Sequence, residues 1–83
     1  MIMNENSAVL DVTGLACPMP VIKLKKWLSQ NRTQMEQSGE VLRLQLSDKG
    51  GIKDIPAFCQ QQSLSCQLVS EGDVIEFAIS AQE

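Results

Sequence analysis

The stretch Glu40-Val41-Leu42-Arg43-Leu44-Gln45-Leu46-Ser47 decides how the chain folds. Leu42, Leu44 and Leu46 alternate with Arg43 and Gln45, the two-residue period of a strand with one buried face and one wetted face. Working outward toward the N-terminus, Pro20, Val21, Leu24, Trp27 and Leu28 recur at the three- and four-residue spacing of one buried helical stripe. That spacing predicts an amphipathic helix from residue 18 or 20 to about residue 30, followed by a polar connection over 31–39 in which Ser38-Gly39 is the turn signal. Before it, Ala8-Val9-Leu10-Asp11-Val12 reads as a short strand with Ala8, Leu10 and Val12 on one face, ended by Thr13 and Gly14. A strand, a helix and a second strand at this spacing predict a right-handed βαβ unit with parallel strands.

Toward the C-terminus, Asp48-Lys49-Gly50-Gly51 turns the chain into a second helix over about 52–62, with Ile52, Ile55, Phe58 and Cys59 as its stripe and Pro56 in its first turns. Leu64, Cys66 and Leu68 then alternate with Ser65 and Gln67. Glu71-Gly72-Asp73 turns, and Ile75, Phe77 and Ile79 alternate with Glu76 and Ala78, completing a hairpin. The order β-α-β-α-β-β predicts a two-layer α/β (α+β) sandwich, in which a four-stranded mixed sheet carries both helices on one face because each helix has one apolar stripe to bury.

With 83 residues, 43% of them apolar, the chain has room for one domain, placed at 8–83 behind a flexible polar lead-in over 1–7. Three cysteines and no histidine make neither a disulfide scaffold nor a zinc or haem site, so no metal is expected and a reduced, cytoplasmic home is. The first residues lack the basic and apolar regions of a signal peptide, and no stretch approaches the length of a membrane span. A net charge of −3 disfavours general nucleic-acid binding. A monomer is expected.

The chemistry concentrates in Gly14-Leu15-Ala16-Cys17-Pro18-Met19-Pro20. Cys17 falls at a strand-to-helix junction, where the positive end of a helix dipole favours thiolate, the nucleophilic form of the side chain. Pro18 and Pro20 remove two backbone donors. Either the helix starts at Pro18 with Cys17 as its cap, or Met19, preceding a proline, is extended and the helix starts at Pro20, with Cys17 two residues upstream of its cap. In both readings the Met19 N–H is left as the nearby donor. Two readings stay open on spacing alone: a reactive thiol positioned by Pro18, Met19 and Pro20, or a helix-start device containing a small apolar residue. Lys23, Lys25, Lys26 and Arg32 are four of the seven cationic residues within ten positions, either a solvated helix face or a docking face for an acidic partner. Cys59 and Cys66 fall on inward faces and read as packing, with a resolving role toward Cys17 as the alternative. A disulfide from Cys17 to either one requires α-carbons within about 7 Å.

Leu10-Asp11, Gly14-Leu15, Cys17-Pro18-x-Pro20, Lys25-Lys26, Asp48 and Asp54-Ile55-Pro56-x-Phe58-Cys59 together resemble the TusA-like (SirA-like) sulfur-carrier family, over nearly the whole chain. The resemblance implies a sulfur carrier or sulfurtransferase that takes sulfane sulfur on Cys17 as a transient persulfide, with no other cofactor. It also implies partners: a donor of cysteine desulfurase or rhodanese type, or thiosulfate, and an acceptor sulfur-relay protein. Ala16 and Met19 depart from the Arg and Glu common in the tRNA-thiolation branch, and Ser47-Asp48-Lys49 departs from its Asp-Asp-Pro, so that branch's partner set is not implied. The alternative function is a non-catalytic regulatory or protein-interaction module of the same fold.

Overall fold

Six elements follow one another in the computed structural model, which describes residues 7–16 and 18–81: β1 (Ser7–Asp11), α1 (Met19–Ser38), β2 (Val41–Leu46), α2 (Gly51–Gln61), β3 (Leu64–Ser70) and β4 (Ile75–Ala81). The strands form one mixed sheet in the order β1-β2-β4-β3. β1 pairs parallel with β2, as a βαβ unit requires, and β4 runs antiparallel to both β2 and β3. The lead-in expected over 1–7 lies outside the described residues apart from Ser7, which already belongs to β1 and pairs with Val41.

Alternation does what it predicts. Leu42, Leu44 and Leu46 of β2 and Ile75, Phe77 and Ile79 of β4 are buried, while Arg43 is exposed and Gln45 and Glu76 are half-buried. α1 packs on β2 and β4, α2 packs on β3, and the helices touch each other, so both lie over the leucine face. From above, the core is closed by Leu24, Leu28 and Met35 of α1 and by Ile55 and Cys59 of α2. On the opposite face, Arg43 meets Glu76 in an ion pair of 2.6 Å and the Gln45 amide donates to the same carboxylate at 3.3 Å. Across that pairing the cross-strand contact is polar, as suits a face turned to solvent.

The first helix corrects the sequence reading. It continues to Ser38, through the segment expected to be a polar connection. Met35 is the reason: it lies seven residues after Leu28, on the same face, and is fully buried. Arg32 supports the extra turns from the outside. Its Nε pairs with Glu36 at 2.9 Å, one helical turn on, and its guanidinium reaches across to the carbonyl of Gln62 at 2.6 Å, just past the end of α2. Gly39 then ends the helix in the left-handed region, φ 73°, and the N–H groups of Gly39 and Glu40 both donate to the Met35 carbonyl, at 3.0 and 3.2 Å.

Register fixes what lies at each end of the sheet. Asp11 pairs with Gln45, Gln45 with Glu76 and Glu76 with Ser70, forming one row. Beyond that row lie the loop between β1 and α1, the loop between β2 and α2, and the β3–β4 turn. The start of β1 and the end of β4 lie at the other end.

Candidate functional site

The loop from β1 to α1 is built by four local devices. The Val12 N–H donates to the Gln45 carbonyl at 2.8 Å, carrying the parallel ladder one residue past β1 and burying Val12. Asp11 then accepts the Thr13 N–H at 3.0 Å and the Thr13 hydroxyl at 2.7 Å, an Asx turn. The Thr13 hydroxyl, and secondly its N–H, hold the Asp11 carboxyl below its ordinary value against a small opposing desolvation. Gly14 adopts φ 82°, a conformation glycine accepts without strain, and its N–H donates to the Ser47 hydroxyl at 2.8 Å. That bond ties this loop to the β2–α2 loop, 33 residues away in the chain.

Leu15 is half-buried against the core, and Ala16, Pro18 and Met19 are exposed. Cys17 lies outside the described residues, and with it the expected exposure and titration of its thiol. Its neighbours define the head of α1. Pro18 is the N-cap and makes no side-chain cap; Met19 is the first helical residue and Pro20 the second; no acidic residue occupies the first turn. Nothing among these side chains compensates the positive end of the helix.

Of the two helix starts left open, neither holds as stated: Met19 is itself the first helical residue, not extended. Its N–H donates to the Ala16 carbonyl at 2.9 Å, so the expected spare donor is used. Pro20 explains the first point. It is fully buried on the same side of α1 as Leu24 and Leu28, and that packing outweighs the preference of a pre-proline residue for extended backbone. Pro18 and Pro20 therefore divide their roles: the first caps in solvent and the second anchors the helix start in the core.

Lys23, Lys25 and Lys26 are all exposed on α1. Lys25 lines a groove of about 220 Å³ between α1 and α2, with Leu28, Ser29, Arg32, Phe58 and Gln62. Lys23 and Lys26 are exposed but do not line it. The groove has an apolar floor, Leu28 and Phe58, beside an ammonium and a guanidinium. The α2 wall and Ser47 were not singled out from sequence as site residues. For Ser47 the available signal is its place directly after β2, at the carboxyl end of a strand parallel to β1, where loops of such sheets meet.

Cys59 on α2 is fully buried and Cys66 on β3 is half-buried, as expected for inward-facing cysteines. The Cys66 thiol, and secondly burial, push the Cys59 thiol up from its ordinary value, while the Cys59 thiol holds Cys66 down against burial.

With the thiol loop, the head of α1 and the sheet order in place, comparison with known proteins is decisive. The family model described as sulfurtransferase TusA matches residues 8–81. The chain belongs to the TusA family. A Neisseria meningitidis serogroup A protein, named as a candidate sulfur carrier, is 46% identical over 68 residues, covering 82% of this chain and 85% of that one. The sulfur carrier protein TusA of Allochromatium vinosum is 40% identical over 59 residues, 71% of each chain. Among solved structures, the crystal structure of the SirA-like protein from Desulfitobacterium hafniense superposes with a TM-score of 0.69 at 24% identity, over 92% of this chain and 99% of that one. It shares the fold: a mixed four-stranded sheet with two helices in a TusA-like sandwich. Family membership supports a sulfur-carrier role. No helix among the described residues is long and apolar enough to cross a membrane.

Proposed function

We propose that this chain relays sulfane sulfur on Cys17. A donor persulfide of desulfurase or rhodanese type presents its outer sulfur, and the Cys17 thiolate attacks it. The donor's S–S bond breaks, its electron pair leaves on the donor thiolate, and Cys17 holds the new S–S bond as a persulfide. An acceptor thiolate then attacks the outer sulfur and Cys17 departs as thiolate, so no electrons are gained or lost overall. With thiosulfate as donor, sulfite is the leaving group. No metal or organic cofactor takes part in either step.

The observation that carries this reading is the undischarged head of α1: no acidic side chain in its first turn, no side-chain cap, and two prolines flanking Met19. A cysteine one residue before the N-cap lies at the positive end of that helix, which favours the ionised thiol and needs no general base. Pro18 and Met19, both exposed, leave the approach open to a large partner, while buried Pro20 keeps the helix start fixed. Partners dock on the cationic side of α1, with Lys25 acting from the groove and Lys23 and Lys26 from the adjoining surface; such charge speeds encounter with an acidic partner and chooses among partners.

The test is a mass measurement. After incubation with a persulfide donor, the protein gains one sulfur atom that reductant removes, and Cys17→Ala does not gain it. Equal labelling of Cys17→Ala refutes the proposal. An alkylation midpoint at or above the free-thiol value of about 8.5 favours the non-catalytic interaction module instead.

A further inference from the structure

Residues 67–74, the end of β3 and the turn into β4, are eight consecutive exposed positions. Among the described residues six large apolar side chains are exposed, and three of them fall here: Leu68 at 45%, Val69 at 52% and Val74 at 46%. Single apolar residues on a surface are ordinary, but three within so short a segment make a patch. The backbone is shaped to display it. Leu68 pairs with Phe77 and Ser70 with Glu76, so Val69 is the extra residue of a bulge and has no partner in the ladder. The Ser70 hydroxyl donates to the Val74 carbonyl at 3.5 Å and closes the turn.

Charge sets this patch apart from α1. All seven cationic residues of the chain lie between Lys23 and Lys53, and residues 54–83 carry five acidic side chains and no cationic one. Two of those acids, Glu71 and Asp73, stand in the turn itself. Both are exposed and make no ion pair or side-chain hydrogen bond among the described residues. An apolar patch with an acidic rim complements an apolar surface with a basic rim, and it repels the acidic partner that suits α1.

The patch also lies within one interface of the thiol loop. Both are at the same end of the sheet, and in the order β1-β2-β4-β3 three strand spacings separate β1 from β3, about 14 Å in all. A protein interface of ordinary size covers about 800 Å² per partner, a patch roughly 30 Å across, so one partner spans both. The bulge turns this end of the edge strand away from strand addition, which leaves side-chain contact as the mode of docking. We propose that the β3–β4 hairpin end is a docking surface for a protein partner with a basic, apolar face, the second of the two that exchange sulfur with Cys17. Its part in sulfur exchange rests on the relay reading above. A carrier that meets donor and acceptor in turn then separates them by charge, one on α1 and the other on the hairpin.

Full-length Cys17→Ser, isotope-labelled for amide NMR, tests the surface. Lacking the thiol, it reports docking alone, so this test and the sulfur-labelling test fail independently. The probe is a short amidated peptide of leucine and lysine set among glycine and serine, compared with the same peptide carrying glutamate for lysine or serine for leucine. The leucine–lysine peptide is expected to shift the amides of residues 67–74, and the other two to leave them in place. Val69→Ser combined with Val74→Ser weakens that binding about tenfold. Glu71→Gln combined with Asp73→Asn weakens it about fivefold at low salt, a loss that fades as salt is raised. Shifts centred elsewhere, equal shifts with the leucine-free peptide, or unchanged affinity in both double variants would overturn the proposal. So would a concentration-dependent dimer in sedimentation that is lost on Val69→Ser with Val74→Ser, since the surface would then belong to a second copy of the chain.

Discussion

Replacing Ser47 with alanine tests whether the β1–α1 and β2–α2 loops act as one unit. The Ser47 hydroxyl accepts the Gly14 N–H at 2.8 Å, and alanine removes the acceptor while leaving the backbone path open. A neutral hydrogen bond of this kind contributes about 1 kcal/mol. Ser47 is exposed, so water takes over part of that bond and the figure is a ceiling. Converted to a population, about 1 kcal/mol is about a fivefold loss of the tethered loop. A loop that wanders holds its cysteine less of the time at the head of α1, so the pH midpoint for alkylation rises toward the free-thiol value of about 8.5. Iodoacetamide kinetics against pH, followed by mass spectrometry at Cys17, measure it directly: near neutral pH the Cys17 rate in Ser47→Ala falls by up to about fivefold. Urea unfolding changes by no more than about 1 kcal/mol. Ser47→Thr keeps a hydroxyl acceptor at the same position without adding charge and recovers the parental profile. An unchanged rate in Ser47→Ala, or equal behaviour of the alanine and threonine variants, would show that the tether does not position the thiol.

Three further outcomes follow from the geometry. Met35→Ala removes three heavy atoms from a fully buried site and costs about 3 kcal/mol. For a domain of this size that is roughly 15 °C in Tm. Gln34→Ala, an exposed neighbour, leaves Tm near parental, and equal effects would place Met35 outside the core. Asp11 has a lowered carboxyl pKa, so its contribution is present above the ordinary value of 3.8 and is lost as pH falls through the lowered one. Asp11→Asn is therefore less stable than the parent near neutrality, and urea titrations at successively lower pH show the gap closing; a gap that is constant with pH contradicts the Asx-turn assignment. Reversing charge at Lys25 weakens donor encounter in stopped-flow measurements at low salt more than Lys49→Glu does, with a difference that fades as salt is raised.

Much of this fold is legible because its core obeys simple periods. Leucines at 42, 44 and 46 and the apolar residues at 75, 77 and 79 carry a two-residue alternation that only a one-sided strand satisfies. The latter half of α1 is not legible in that way. Between Leu28 and Gly39 the sequence offers one large apolar residue, Met35, and a single residue sets no period. Its helical state rests on burial in a core assembled by other elements, and on Arg32 reaching Gln62 from thirty residues away. The same limit hides half of the site. Cys17-Pro18-x-Pro20 announces itself, and Lys25, Leu28, Ser29 and Arg32 are visibly one stripe of α1, but the Phe58 wall of the groove and the Ser47 tether are products of tertiary register. The helix start, which the prolines leave open between residues 18 and 20, is settled at Met19 because burial of Pro20 in the apolar stripe outweighs the pre-proline preference for extended backbone.

The direction of the strands carries a practical consequence. β1 begins, and β4 ends, at the end of the sheet opposite the thiol loop, where Ser7 pairs with Val41 and Ala81 with Leu64. The chain therefore enters its first strand and leaves its last one at the end of the sheet remote from the thiol loop. A tag or fused domain joined through either strand is expected to leave alkylation of Cys17 at its parental rate.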